Sequence, residues 1–194
     1  MKDSLMRFWL LIFLLLPSIA FAQSPCVGPC APLTILTVKS LATPGTQVPL
    51  TGTTSISNIA VVPVPAGLGN NGGVMLTCLW TVTSSTNAKT LAVIWSNTSG
   101  ATTGFQLGTN IVANATTFVT GQTLHYGRNQ NATNVQKAFP AVPTSPFGSS
   151  AAGATTGAVN TALPSFLNIT GTLALGTESI TVEGCQGMAT ISSP

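Results

Sequence analysis

The sequence predicts an all-β protein, an antiparallel sandwich or barrel, and three observations predict it. No segment beyond the N-terminus carries helical periodicity, and charged residues, among them the helix formers Glu, Lys and Arg, make up only 5% of the chain. Thr and Val abound instead, the residues that suit a pleated and half-buried surface. Short apolar runs of period two alternate with segments rich in Gly, Asn and Pro, the spacing of strands and turns.

The chain opens on a targeting pattern. Lys2 and Arg7 precede an unbroken apolar run, Phe8 to Leu16, which Pro17 ends. Ala20-Phe21-Ala22 supplies the small-x-small cleavage site, so residues 1–22 read as a Sec signal peptide cut after Ala22. The run is far shorter than the roughly 20 residues a membrane-spanning helix needs. Neither Cys26 nor Cys30 follows a lipobox, because each is preceded by proline. The product is expected to be exported, to the periplasm or the medium.

Residues 23–58 read as a linker rich in Pro, Gly and Thr, with short strands such as Thr34–Val38. The sandwich is expected over 59–194. Ile59–Val64 contains Pro63 and suits an edge strand, and Pro65–Gly73 is a turn segment. Val74–Trp95 reads as a hairpin. Leu76, Cys78, Trp80 and Val82 share one face of its first strand, with Leu79 breaking the polar alternation of the other face. Ser84–Ala88 forms the turn, and Leu91, Val93 and Trp95 alternate in the second strand. Leu76, Trp80, Val82, Leu91, Val93 and Trp95 are the expected core, two tryptophans on one hairpin burying much apolar area. Strands follow at Phe105–Val112, Thr116–Val119 and Gln122–Arg128. Residues 129–156 read as a long irregular region, and Ala158–Ala162, Phe166–Leu175 and Glu178–Ile191 complete the set.

Once the signal is removed, the charged residues are Lys39, Lys89, Arg128, Lys137, Glu178 and Glu183, with no Asp. The four basic residues are scattered, which speaks against nucleic acid as a partner, since phosphate neutralisation needs clustered Lys and Arg. A surface this weakly charged invites self-association. His125 is the only histidine, and no catalytic motif surrounds it, so it reads as a structural residue. Glu178 and Glu183 alternate to opposite faces of one strand and do not converge as paired acids would. The carboxylates are too few for calcium. No catalytic residue, cofactor or metal is therefore expected.

Four cysteines, Cys26, Cys30, Cys78 and Cys185, allow two disulfides in three connectivities. In an exported chain Cys26–Cys30 and Cys78–Cys185 are the expected pairs. Strand parity opposes the second, since Ile180 and Val182 would face in and Cys185 out, and a bulge at Gly184 would correct it. Asn97, Asn114, Asn131 and Asn168 begin Asn-x-Ser/Thr sequons that so Asn- and Thr-rich a chain produces by composition. A Thr array of the ice-binding kind would need a regular repeat, and none is present.

The run from Val64 to Trp95, with its Pro-Ala-Gly and Asn-Gly turns and the Asn87-Ala-Lys-Thr-Leu91 turn and strand, resembles small jelly-roll domains of tailed-phage virion proteins. The likeness continues through His125–Arg128, Asn131–Asn134, Phe147–Ser150, Thr155–Gly157 and Glu178–Glu183. Each piece is a weak motif, and their order and spacing carry the resemblance, which covers about residues 59–191. It implies a jelly-roll sandwich and a non-enzymatic structural or surface-attachment module of head, tail-fibre or decoration type. It also implies a homo-oligomer, often a trimer, beside other virion or cell-surface proteins. The signal peptide and the cysteines depart from that pattern. An exported carbohydrate-binding or adhesin module, with exposed aromatics against a glycan, is the alternative.

Overall fold

The computed structural model describes residues 36–42, 49–112, 119–138 and 154–192, the side chains at 36–42 and 110–112 excepted. Ten strands are present: β1 Leu36–Ala42, β2 Ser57–Val64, β3 Gly73–Val82, β4 Lys89–Ser96, β5 Phe105–Val112, β6 Thr120–Asn129, β7 Gln136–Ala138, β8 Thr155–Gly157, β9 Ser165–Leu173 and β10 Ile180–Ser192. They form two antiparallel sheets, a six-stranded one ordered β1-β10-β3-β6-β7-β8 and a four-stranded one ordered β2-β9-β4-β5.

The pairings nest. β1 lies beside β10, β2 beside β9, β3 beside β6 and β4 beside β5. This is one long hairpin wound into a sandwich, the jelly roll, and it uses the antiparallel pairing throughout. β7 and β8 widen the six-stranded sheet beyond β6.

Winding corrects the expected Val74–Trp95 hairpin. β3 pairs with β10 and β6, whereas β4 pairs with β5 and β9 in the other sheet. Ser84–Ala88 is a crossing between layers. Period two is the same for a strand that turns back and one that crosses over, so alternation cannot tell them apart. Trp80 and Trp95 thus belong to opposite sheets, and both are buried. The rest of the expected core, Leu76, Val82, Leu91 and Val93, is buried with them.

Glycines make room for the aromatic rings. Trp80 lies directly opposite Gly121 on β6, and a Cβ there would fall inside its indole. Trp95 and Leu107 reach across the core to Gly127, and Phe105 covers Gly157 on β8. Trp95 also stands 6.4 Å from Phe105, centroid to centroid. Its Nε1 donates to Ser165 Oγ at 2.9 Å, which satisfies the buried N–H.

Other elements differ from expectation in detail. β2 is an edge strand, as Pro63 requires, because proline has no N–H for a second neighbour. The stretch read as a linker contributes β1 to the six-stranded sheet, and Leu50 bridges Ile180, so the sandwich begins before residue 59. β7 and β8 lie within the region read as irregular. Residues 158–162 form a loop rather than a strand, with Thr161 N donating to Thr133 O at 2.8 Å. The signal segment, Cys26, Cys30, most of the Thr116–Val119 strand and the whole 139–153 stretch lie outside the described residues.

Trp80→Ala removes a ring that both Cys78-side packing and the Gly121 seat depend on. The expected loss is roughly 3–5 kcal/mol, the range for a large buried aromatic, read from urea unfolding of the oxidised protein. Gly121→Val should also destabilise, by forcing the indole off its seat. Wild-type stability in both variants would exclude this packing.

Candidate functional site

Of the chemically distinctive residues singled out in the sequence, Cys78, Cys185, His125, Glu178, Glu183, Lys89, Arg128 and Lys137 can be placed on this frame, while Cys26 and Cys30 lie outside the described residues. Cys78 and Cys185 are direct partners across β3 and β10, with Cα atoms 4.1 Å apart, and they form a disulfide. The register shifts between Val182 and Gly184, so Glu183 is the extra residue of a bulge. That bulge, one residue before the expected position, turns Cys185 inward beside Ile180 and Val182.

His125 lies on the inner face of β6 opposite Leu76, only 3% exposed. Its Nδ1 has no protein hydrogen-bond partner. Burial disfavours the charged ring and lowers its pKa from 6.5 to about 4. The imidazole is therefore held neutral inside the sandwich near pH 7.

Glu178 sits in a cluster that the sequence did not reveal. Its Oε1 accepts from Lys89 Nζ at 3.3 Å, from Asn87 Nδ2 at 3.0 Å and from Ser85 Oγ. Lys89 Nζ donates further to Ser85 Oγ at 2.5 Å and to Asn87 O at 2.8 Å, and Lys89 is fully buried. Burial pushes the Glu178 carboxyl up, but the bonds from Ser85, Asn87 and Lys89, with the lysine charge, outweigh it and hold the acid below its usual range. The cluster ties the β3–β4 crossing to the β9–β10 turn. Glu178 Oε2 has no protein partner. The only signal in the sequence was the rarity of charge, which makes an oppositely charged pair conspicuous.

At the other end a network of amides performs the same task. Asn129 Nδ2 donates to Gly69 O at 2.6 Å and to Thr161 Oγ1 at 2.7 Å. Gln136 Nε2 donates to Asn129 Oδ1 at 3.0 Å and to Val159 O at 2.9 Å, while Val159 N donates to Gln136 Oε1 at 2.8 Å. Gly69, at φ 73, lies against the Ser192 backbone, a position where no side chain fits. Leu68 is fully buried beside it and closes the core.

The outward face of the six-stranded sheet is different. Met188, Met75 and Tyr126 are successive partners across β10, β3 and β6, and Leu124 and Leu79 occupy neighbouring rows of the same face. Leu79 is 52% and Tyr126 43% exposed. Leu79, which broke the alternation in the sequence, was the visible signal of this patch. Glu183 lies at one end of the face, its Oε1 accepting from Thr81 Oγ1 at 2.5 Å. Arg128 and Lys137 pair at the other end. Trp80, Trp95 and Phe105 are buried, leaving Tyr126 as the exposed aromatic among the described residues. Among those residues no group of three or more His, Cys, Asp or Glu side chains converges.

Two pH effects follow. The unfolded chain binds more protons than the folded one wherever a folded pKa is depressed. For His125 stability falls as pH drops from 6.5 toward about 4, by roughly 3 kcal/mol over that interval. His125→Leu should flatten this slope in urea melts at pH 7 and pH 5. For Glu178 the contribution is present above the unfolded carboxyl value and is lost as pH falls through the lower folded one. Glu178→Gln should destabilise more than Lys89→Met/Glu178→Gln, because the single change strands a buried ammonium. The opposite order would rule out the buried pair.

No family model matches the sequence, and no curated protein matches it. Among solved structures the chain is similar to one described as the structure of infectious bursal disease virus Gx strain, with 12% identity and a TM-score of 0.22. That likeness covers 82% of this chain and 42% of the other.

Proposed function

We propose that the protein is a non-enzymatic structural or surface-attachment module, exported and homo-oligomeric, of the kind the tailed-phage virion resemblance implies. The observation that carries this reading is the division between a committed interior and an apolar outer face. His125, Glu178 and Lys89 are spent inside the fold, one as a neutral core residue and two as a latch between turns. What faces outward on the broad sheet is Leu79, Tyr126 and Met188 among Thr and Gln. Such a surface suits packing against protein. The adhesin alternative loses support from the two buried tryptophans, since glycan platforms stack sugars on exposed rings and, among the described residues, Tyr126 stands without an aromatic neighbour on its face.

The test follows the protein through a density gradient of material released from producing cells, using an antibody against the mature chain. Co-sedimentation with particles, stable to a high-salt wash, is expected. Recovery only as soluble protein that binds immobilised glycans would overturn the reading and favour the adhesin.

A further inference from the structure

Two of the few charges in this chain stand where they cost stability. Arg128 on β6 and Lys137 on β7 are direct cross-strand partners. Both point outward from the six-stranded sheet, since Gly127, Asn129, Gln136 and Ala138 on either side of them are buried. Side chains on such partners start about 5 Å apart, and like charges placed there repel. The chain's own carboxylates lie elsewhere. Glu178 pairs with Lys89 inside the fold. Glu183 bonds Thr81, eight residues along β3 from Gly73, the partner of Arg128, or about 27 Å at the rise of a strand. Lys137 Nζ donates to Thr156 Oγ1 at 2.6 Å and Arg128 Nε to Asn71 O at 3.3 Å. Neither bond brings a negative charge, so among the described residues the pair is not neutralised.

We infer that Arg128 and Lys137 are the docking point for a carboxylate-bearing segment of a different protein, laid over the outer face of the sheet. This rests on the structural reading above and names the chemistry of its partner. Arginine offers a planar fork that takes a carboxylate bidentately, and the neighbouring lysine adds a further charge-assisted bond. Beyond the pair the face turns apolar. Tyr126 and then Leu124 follow Arg128 on the same face of β6, at intervals of about 7 Å, and Met75 lies beside Tyr126. An extended segment has the same two-residue repeat. One that begins with acids and continues with alternating apolar side chains sets charge on charge and apolar group on apolar group. A second copy of this chain is a poor occupant, because its Glu178 is buried and its Glu183 bonds Thr81. Anionic lipid is a poor one too, since membrane attachment draws on clusters of about four to eight Lys or Arg.

Tyr126 is the chain's one tyrosine, so protein with labelled tyrosine rings reports this face through a single NMR signal. The probe is a short peptide that alternates Leu and Thr and carries two Glu at one end, titrated into the oxidised mature protein. A saturable shift of the Tyr126 signal is expected. Replacing the peptide's Glu by Gln should weaken binding roughly tenfold or more, as loss of one side of a paired charge does. Arg128→Glu/Lys137→Glu, its fold checked by circular dichroism, should reverse the preference and bind a peptide with Lys in place of Glu. No shift with the acidic peptide, an equal affinity for the Gln peptide, or a reversed variant that still prefers Glu would each overturn the inference. A stronger response to phosphatidylglycerol vesicles than to the peptide would overturn it in favour of a membrane.

Particle co-sedimentation separates this inference from the wider reading. Ion pairs buried in an interface are screened little by salt, so Arg128→Glu/Lys137→Glu should be lost in the wash that wild type survives. A reversed variant retained like wild type would overturn the docking point alone and leave the structural role standing. Wild type absent from particles would overturn the structural role, and the peptide titration would still decide the docking point.

Discussion

The fold depends on rings seated over glycines. Trp80 fills the space beside Gly121 within one sheet, while Trp95 and Phe105 bridge to Gly127 and Gly157 in the other layer. Each indole can bury on the order of 200 Å², and the absent Cβ lets it lie flat against backbone instead of standing off from it. Glycine is otherwise a poor strand residue. Here its cost is offset because the ring covers the bare backbone and fixes the distance between layers. The disulfide reinforces the same region, joining the strand that carries Trp80 to the last strand of the chain. With the cysteines 107 positions apart in sequence, closing that loop contributes roughly 4–5 kcal/mol in the chain-entropy picture.

Polar groups secure the two ends of the sandwich. The Lys89–Glu178 pair with Ser85 and Asn87 fixes one end, and the Asn129–Gln136–Thr161 amides fix the other. An ion pair taken out of water is costly and gains little over well-packed apolar residues. What both clusters share is position. Each joins loops that are distant in sequence, where apolar packing alone is non-directional and would leave their relative placement open. Hydrogen bonds in a low-dielectric site have the directionality to settle it.

The surface follows from the same economy of charge. With so few ionisable groups, water contact rests on Thr, Ser, Asn and Gln, and an apolar row can persist in the middle of a sheet without charged neighbours to break it. Sheet edges are protected unevenly. Pro63 guards the β2 edge, and β8 is only three residues long, both familiar defences against pairing with another chain.

The sequence by itself determined the all-β class, most strand positions and the inward set around Leu76, Trp80 and Trp95, and it favoured Cys78 with Cys185 on redox grounds, with a bulge needed to reconcile the pair with strand parity. These rest on local rules: a period of two, the turn chemistry of Gly and Asn, and the parity of one strand. Leu79 also betrayed the outer face, by breaking an alternation. Tertiary structure alone decided that β3 and β4 occupy opposite sheets, that β1 belongs to the sandwich, and that Lys89 meets Glu178 and Gln136 meets Asn129. Alternation reports which face a side chain takes, and it is silent on which strand lies alongside. Partnership between strands far apart in the chain is settled only when the wound hairpin buries both apolar faces at once, and the polar clusters at its ends form as a consequence of that winding.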